Sequence, residues 1–219
     1  MYEVAQLIDG VWGADGQVHH LTVTDPATDV PVSRAPLAGT ETVAAAVKVA
    51  RTTAPGWAGT PAAERAAALH QVASALEVAA DELAEAQTAE MGRPIGAARD
   101  GVAAGVSTLR QYAELGPVHR GRPLAGASES IDLMAVQPRG VVAVITPWND
   151  PVAVSCGLLG AALVTGNTVV HKPSERCPAT GWLLARLFDR HLPPGVLNLL
   201  TGDGPVGAAL AGQAVDVVA

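Results

Sequence analysis

The chain has 219 residues, a length that fits one or two domains, and its 21 Asp and Glu outnumber 14 Lys and Arg, for a net charge of −7. That balance excludes a nucleic-acid binder relying on basic side chains to neutralise phosphates. Hydrophobic residues make up 49% and charged residues 16%, the reverse of what a disordered chain needs, so a packed core is expected. Aromatics are scarce (four Trp, two Tyr, one Phe), which leaves Ala, Val and Leu to build that core.

Leu7-Ile8-Asp9-Gly10-Val11-Trp12 reads as a hairpin around an Asp-Gly turn, and Asp25 to Asp29 as a second turn. From Thr40 the pattern becomes helical. Thr60-Pro61 reads as an N-cap followed by Pro at the first helical position. Leu69, Val72, Leu76, Ala79 and Leu83 then form one apolar stripe, predicting a single helix that stops at Met91-Gly92-Arg93-Pro94. A further helix is predicted from Ile95 to about Leu115, then a Gly/Pro-rich loop, then strand character from Ser130 to Gln137.

Val141 to Ile145 is a continuous apolar run, the mark of a strand covered on both faces. After it come a helix from about Val152 to Val164, a strand Thr168 to His171 and a helix Pro178 to about Arg190. The strand Val196 to Leu200, the short helix Val206 to Ala211 and a last strand Val215 to Val218 complete the pattern. Helices alternating with buried strands predict an α/β fold with a doubly wound parallel sheet. Pro151 to Val170 carries no charge, but its Gly and Pro residues make it a buried helix, turn and strand rather than a membrane span. No secretory signal is expected, and Cys156 and Cys177 read as reduced, incidental thiols rather than a disulfide or a metal site, which together predict a cytoplasmic protein.

In such sheets ligands bind at the carboxyl ends of the strands. Three loops therefore matter: Thr146 to Pro151, Lys172 to Glu175 and Thr201 to Gly204. Gly202 to Gly207 fits the G-x-G-x-x-G spacing, but it follows the third strand rather than the first, so a Gly-rich turn explains it at least as well. Lys172 and Glu175 could hold a ribose between an ammonium and a carboxylate, or form a solvated loop pair. The Asn149 amide could stabilise a developing oxyanion, or form a turn before Pro151.

Taken together, Val141 to Pro151, Gly166 to Glu175 and Gly195 to Gly204 resemble the NAD(P)-dependent aldehyde dehydrogenase superfamily. Asp25-Pro26-Ala27-Thr28 and Glu90 to Pro94 fit upstream, so the resemblance covers essentially the whole chain in order. It implies an incomplete Rossmann-like sheet preceded by an N-terminal hairpin and helices (1–117), a protruding oligomerisation hairpin (118–138) and a dinucleotide-binding core (139–219). It gives Asn149 the role of oxyanion donor and sets Ile145, Thr146, Pro147 and Trp148 along the nicotinamide side of the cofactor. Lys172, Ser174 and Glu175 would hold the adenosine ribose, with Gly204 and Gly207 near the adenine. A Glu at 175 goes with NAD, with NADP left open. Asp150 departs from the Phe that many members carry.

The family's chemistry needs a Cys nucleophile, which forms a thiohemiacetal and then a thioester, and a Glu base. Both belong to the family's later half, beyond residue 219, as does a Gly-Ser-Thr-type loop that helps hold the pyrophosphate. The resemblance thus implies a cofactor-binding half that is inactive alone and takes an aldehyde only when the catalytic half is supplied. Its expected partners are further copies of itself or a complementary chain, not nucleic acid or membrane. The alternative is a non-catalytic remnant or interaction module. The last strand, left at a sheet edge, is expected to favour aggregation.

Overall fold

In the computed structural model, which describes residues 1–13 and 19–219, five short strands come first: β1 (Tyr2–Glu3), β2 (Gln6–Ile8), β3 (Val11–Gly13), β4 (His20–Thr24) and β5 (Pro31–Pro36). β2 and β3 form the expected hairpin, with Asp9 and Gly10 at positive φ (55° and 73°), the turn geometry that Asp-Gly favours. β4 and β5 pair across the second turn, and β1 joins β5 in a separate three-stranded sheet.

Four helices follow: α1 (Thr40–Gly59), α2 (Ala62–Val78), α3 (Ala80–Met91) and α4 (Ile95–Leu115). Thr60 does not cap α2. Its hydroxyl donates back to the Gly56 carbonyl at 3.2 Å and closes α1, while Pro61 stands just before α2. Nor is the 69–83 stripe a single helix, because Ala79 leaves helical geometry (φ −89°, ψ 12°) and separates α2 from α3. Leu69, Val72, Leu76 and Leu83 are all buried, so the apolar face keeps its phase across a break that periodicity cannot register. Gly92, at φ 68°, ends α3 in the left-handed conformation that glycine adopts without steric cost.

Beyond a 3₁₀ turn (Gly116–Val118), β6 (Arg122–Leu124) and β7 (Asp132–Met134) form a hairpin whose paired residues are all exposed. The second strand is shorter than the 130–137 stretch suggested. The remaining elements alternate: β8 (Val141–Ile145), α5 (Pro151–Val164), β9 (Thr168–Lys172), α6 (Pro178–Asp189), β10 (Leu197–Leu199), α7 (Gly204–Ala211) and β11 (Val217–Val218).

The main sheet has the order β11-β8-β9-β10-β2-β3. β11, β8, β9 and β10 are parallel, but β2 is antiparallel to β10, so the sheet is mixed rather than wholly parallel. The hairpin joins the sheet instead of merely preceding it because Leu7, fully buried, pairs with Leu199, and the Asp9 N–H donates to Asn198 Oδ1 at 3.1 Å. Val142, Val144, Val169, Leu197 and Leu199 face one core with α2, α4, α5 and α6. Val141, Ala143, Val170 and Leu200 face a second core with α1 and α7. Both sheet faces are therefore covered, which is why these strands read as unbroken apolar runs. After β10 the chain crosses back to lay β11 against β8. That reversal opens a crevice at the carboxyl ends of the strands, where ligands bind in folds of this kind.

Candidate functional site

Thr146, the first residue beyond β8, is buried, and its N–H donates to the Lys172 carbonyl at 3.1 Å. This bond joins the loops that follow β8 and β9. Ile145 is half-buried, and Pro147, Trp148 and Asn149 are exposed. Arg93 braces this loop: its Nη1 donates to the Asn149 carbonyl at 3.0 Å and lies 2.8 Å from Asp150 Oδ1. Asp150, where the resemblance led to Phe, has thus found a cation. Gly101 of α4 makes room for the pair, since a Cβ there would lie 2.6 Å from Asp150 Oδ1. Among the described residues the Asn149 side-chain amide has no hydrogen-bond partner.

On β9, the Lys172 side chain is only 4% exposed against 41% for Glu175, so the pair is not a solvated loop pair. Lys172 Nζ donates to the Pro173 carbonyl at 2.9 Å and to the Gly202 carbonyl at 2.7 Å, tying the second loop to the third. Glu175 Oε2 lies 4.0 Å away. Burial pulls the Lys172 ammonium below its ordinary pKa, while Glu175 and Asp203 oppose the shift. Ser174, also buried, accepts from the Arg176 N–H at 3.3 Å and donates to Glu175 Oε2 at 3.4 Å.

Gly181 of α6 lets Pro173 approach, because a Cβ there would be 2.4 Å from the proline ring. Gly207 packs near the Lys172 stem, with a Cβ position 3.4 Å from Cε. Gly204 faces open space, so neither residue is demanded by crowding as severe as at Gly181. The Arg176 guanidinium lies over the Trp148 ring at 5.2 Å, linking the first two loops from the solvent side. Trp148, Glu175 and Arg176 line a cavity of about 410 Å³ with Thr22 and Thr24 of β4.

The structure thus sets Trp148 and Glu175 on one cavity, ties Thr146 to Lys172 through the backbone and Ser174 to Glu175 through its hydroxyl, and packs Gly207 against Lys172. Arg93 and Arg176 join the site without having been candidates from sequence. Arg93 lies in a segment that reads as a helix stop and as part of the resemblance, with no role of its own, and Arg176 directly follows Glu175. A roomier cavity of about 800 Å³ lies between α2, α3 and the far end of α6, away from these loops. Its Arg186, Arg190 and His191 sit at the carboxyl end of α6, where cations complement the helix dipole.

Cys156 in α5 and Cys177 before α6 are buried, and burial pushes both thiols well above the ordinary range. Neither is expected to react with iodoacetamide in the native protein, while both should label once it is denatured. Rapid native labelling of either would contradict this packing. Among the described residues, no group of three or more His, Cys, Asp or Glu is placed to hold a metal, and no helix is long and apolar enough to cross a membrane.

A doubly wound sheet with helices on both faces and a crevice at the strand ends defines a Rossmann-like α/β protein. A sequence model of the aldehyde dehydrogenase family matches residues 12–219, and the chain belongs to that family. It is 38% identical to a 3-succinoylsemialdehyde-pyridine dehydrogenase from a Pseudomonas species, over 96% of this chain and 44% of that protein. It is 34% identical to the NADP/NAD-dependent aldehyde dehydrogenase PuuC of Escherichia coli, over 93% of this chain and 42% of that protein. The NADP-dependent glyceraldehyde-3-phosphate dehydrogenase of Bacillus halodurans, solved with NADP, superposes with a TM-score of 0.96 at 27% identity, covering 100% of this chain and 48% of that one. The chain spans less than half the length of each of these relatives.

Proposed function

We propose that this chain forms the cofactor-binding part of an enzyme that oxidises an aldehyde to a carboxylic acid with NAD(P)+. The observation that carries the reading is the buried Lys172 at the end of β9. Two of its three N–H groups are taken by carbonyls, which leaves one for a ribose hydroxyl, and the half-exposed Glu175 carboxylate stands 4.0 Å away to accept from the sugar. The residues present therefore suit a nucleotide ribose. In this reading Lys172, Ser174 and Glu175 form the adenosine end, beside Gly204 and Gly207. Ile145, Thr146, Pro147 and Trp148 line the nicotinamide end, and Asn149 offers its amide to an oxyanion. When bound, the cofactor supplies the hydride acceptor; the chain's own residues orient it and keep its sugar out of water.

The Glu175 carboxylate would repel a 2′-phosphate, so NAD is the expected cofactor. The relative named NADP/NAD-dependent leaves room for both. The reading places the protein in the cytoplasm and divides the chain at 1–117, 118–138 and 139–219. It assigns the 118–138 hairpin to association with copies of the chain or with a complementary chain. A second reading, an interaction module without catalysis, draws on the same hairpin, where Ile131 is 89% exposed and Leu133 65%.

Calorimetry tests the first reading. NAD should bind with a dissociation constant below about 1 mM, or about −4 kcal/mol. Lys172→Ala should weaken binding by roughly tenfold or more, about 1.4 kcal/mol, and Glu175→Gln should narrow the preference for NAD over NADP. Absence of both binding heat and thermal protection by NAD would overturn this reading in favour of the second.

A further inference from the structure

Behind the loop that follows β8 lies a buried polar cluster in which Thr146 meets His171 and Ser155, two residues to which the cofactor reading gives no role. His171 Nε2 is 3.0 Å from Thr146 Oγ1 and 3.5 Å from Ser155 Oγ of α5, and Ser155 Oγ donates to Thr146 Oγ1 at 3.3 Å. All three side chains are buried. His171 stands two residues after Val169 on β9, so the strand alternation puts both on the α5 side of the sheet, while Lys172 points to the α7 side. The cluster and Lys172 therefore act on the two faces of one strand end.

An imidazole at this place is costly. Nδ1 is buried without a partner among the described residues, although a branched apolar side chain like those of Val169 and Val170 would suit a strand covered on both faces. A proton on Nε2 leaves only a lone pair unpaired at Nδ1, and Nε2–H then donates to Thr146 Oγ1. What this bond secures is the entry to the loop. The Thr146 N–H is already held by the Lys172 carbonyl, so the hydroxyl contact pins the same residue a second time, immediately before the exposed Pro147, Trp148 and Asn149.

We propose that His171 is a positioning residue: by gripping the Thr146 hydroxyl it fixes the 146–149 loop in the arrangement that receives the nicotinamide end of the cofactor. The proposal rests on the reading that this loop binds the cofactor, and its test separates the two. His171→Leu should accelerate hydrogen exchange of the Thr146 amide, read by NMR, by about fivefold, the effect of losing one net hydrogen bond. The amides of Val142 to Val144 should be unchanged. His171→Gln, which can reach Thr146 with its own amide, should restore protection. Thr146→Val removes the same bond from the other side. It should loosen the Trp148 and Asn149 amides as much as His171→Leu does, and the double variant should add nothing further.

In the same variants the affinity for NAD should fall and recover in step with the exchange. If the native chain binds no NAD, the cofactor reading fails while the exchange measurements still decide the role of His171. Unchanged Thr146 exchange in His171→Leu would overturn the proposal. So would acceleration spread evenly along β8, failure of the Gln variant to restore protection, or additive effects in the double variant.

Discussion

Replacing Glu90 with alanine is expected to lower the stability of the fold by about 4 kcal/mol, because it strands several buried donors at once. Glu90 lies in α3, yet its carboxylate serves α6. One oxygen accepts from Ser33 Oγ of β5 at 2.7 Å and from the Ala179 N–H at 2.8 Å. The other accepts from the Thr180 N–H at 2.9 Å and Oγ1 at 2.8 Å. Ala179 and Thr180 form the first turn of α6, whose own N-cap position, Cys177, provides no side-chain cap. A carboxylate from a neighbouring helix therefore does what a Ser or Asp cap does elsewhere, and it is also well placed for the helix dipole. Without it, buried donors at the start of α6 and on β5 have no acceptor, each at a cost of about 1–3 kcal/mol before the structure relaxes. At about 2–4 °C per kcal/mol for a chain of this size, the melting temperature should fall by about 10 °C. Glu90→Gln should cost about half as much, since one acceptor oxygen survives while the new amide faces donors. Thermal melts of the two variants measure both effects. A loss below about 1 kcal/mol for Glu90→Ala would mean that water replaces the carboxylate and that the cap is dispensable.

Acid is expected to destabilise the protein through His171. Burial, reinforced by the neighbouring Lys172 charge, pulls this imidazole down from the usual 6.5 to about 3. The folded value lies below the unfolded one, so between them the unfolded chain binds more protons than the folded one. The contribution of His171 is therefore fully present above pH 6.5 and is lost progressively as the pH falls towards 3. At about 1.4 kcal/mol per pH unit the loss is about 2 kcal/mol by pH 5 and approaches 5 kcal/mol near pH 3. Urea unfolding at a series of pH values measures the slope directly. His171→Leu should flatten it between pH 6.5 and 4, and an unaltered slope would assign the acid sensitivity to other groups.

Much of this architecture is written locally. The apolar runs of β8 and β9, with a Gly166-Asn167 turn between α5 and β9, carry the sheet in a few residues. α4 runs from Ile95 to Leu115 as expected, because Pro94 and Gly116 bracket it. The spacing of Lys172 and Glu175 likewise marks the strand end where a buried ammonium and a half-exposed carboxylate stand 4.0 Å apart. What escaped notice depends on partners far away in the chain. No local pattern says that Leu7 will pair with Leu199, or that Arg93 will meet Asp150 across a helix and a hairpin. His171 and Lys172 are neighbours in sequence, yet their side chains leave opposite faces of the strand and meet different partners. The separation of α2 from α3 was invisible for another reason: Ala79 is as good a helix former as its neighbours, and only the tertiary packing bends the chain there. The roles proposed for Asn149 and the glycines came from resemblance, and the geometry adds to them chiefly the bracing by Arg93 and the open space at Gly204.

The antiparallel join between β2 and β10 also sets a timetable. During synthesis, residues 6–8 leave the ribosome roughly 190 residues ahead of the strand that receives them, and the Asp9–Asn198 bond spans 189 positions. At about 5–20 residues per second, the interval is roughly ten to forty seconds. Throughout it Leu7, destined to be fully buried, is paired only with Trp12 of its own hairpin, and β10 is joined on that side by a segment made far earlier. Such a late, long-range closure is slow by nature and leaves an apolar hairpin available to chaperones or to other nascent chains. The first dozen residues thus take their place in the sheet only after β10 has been made.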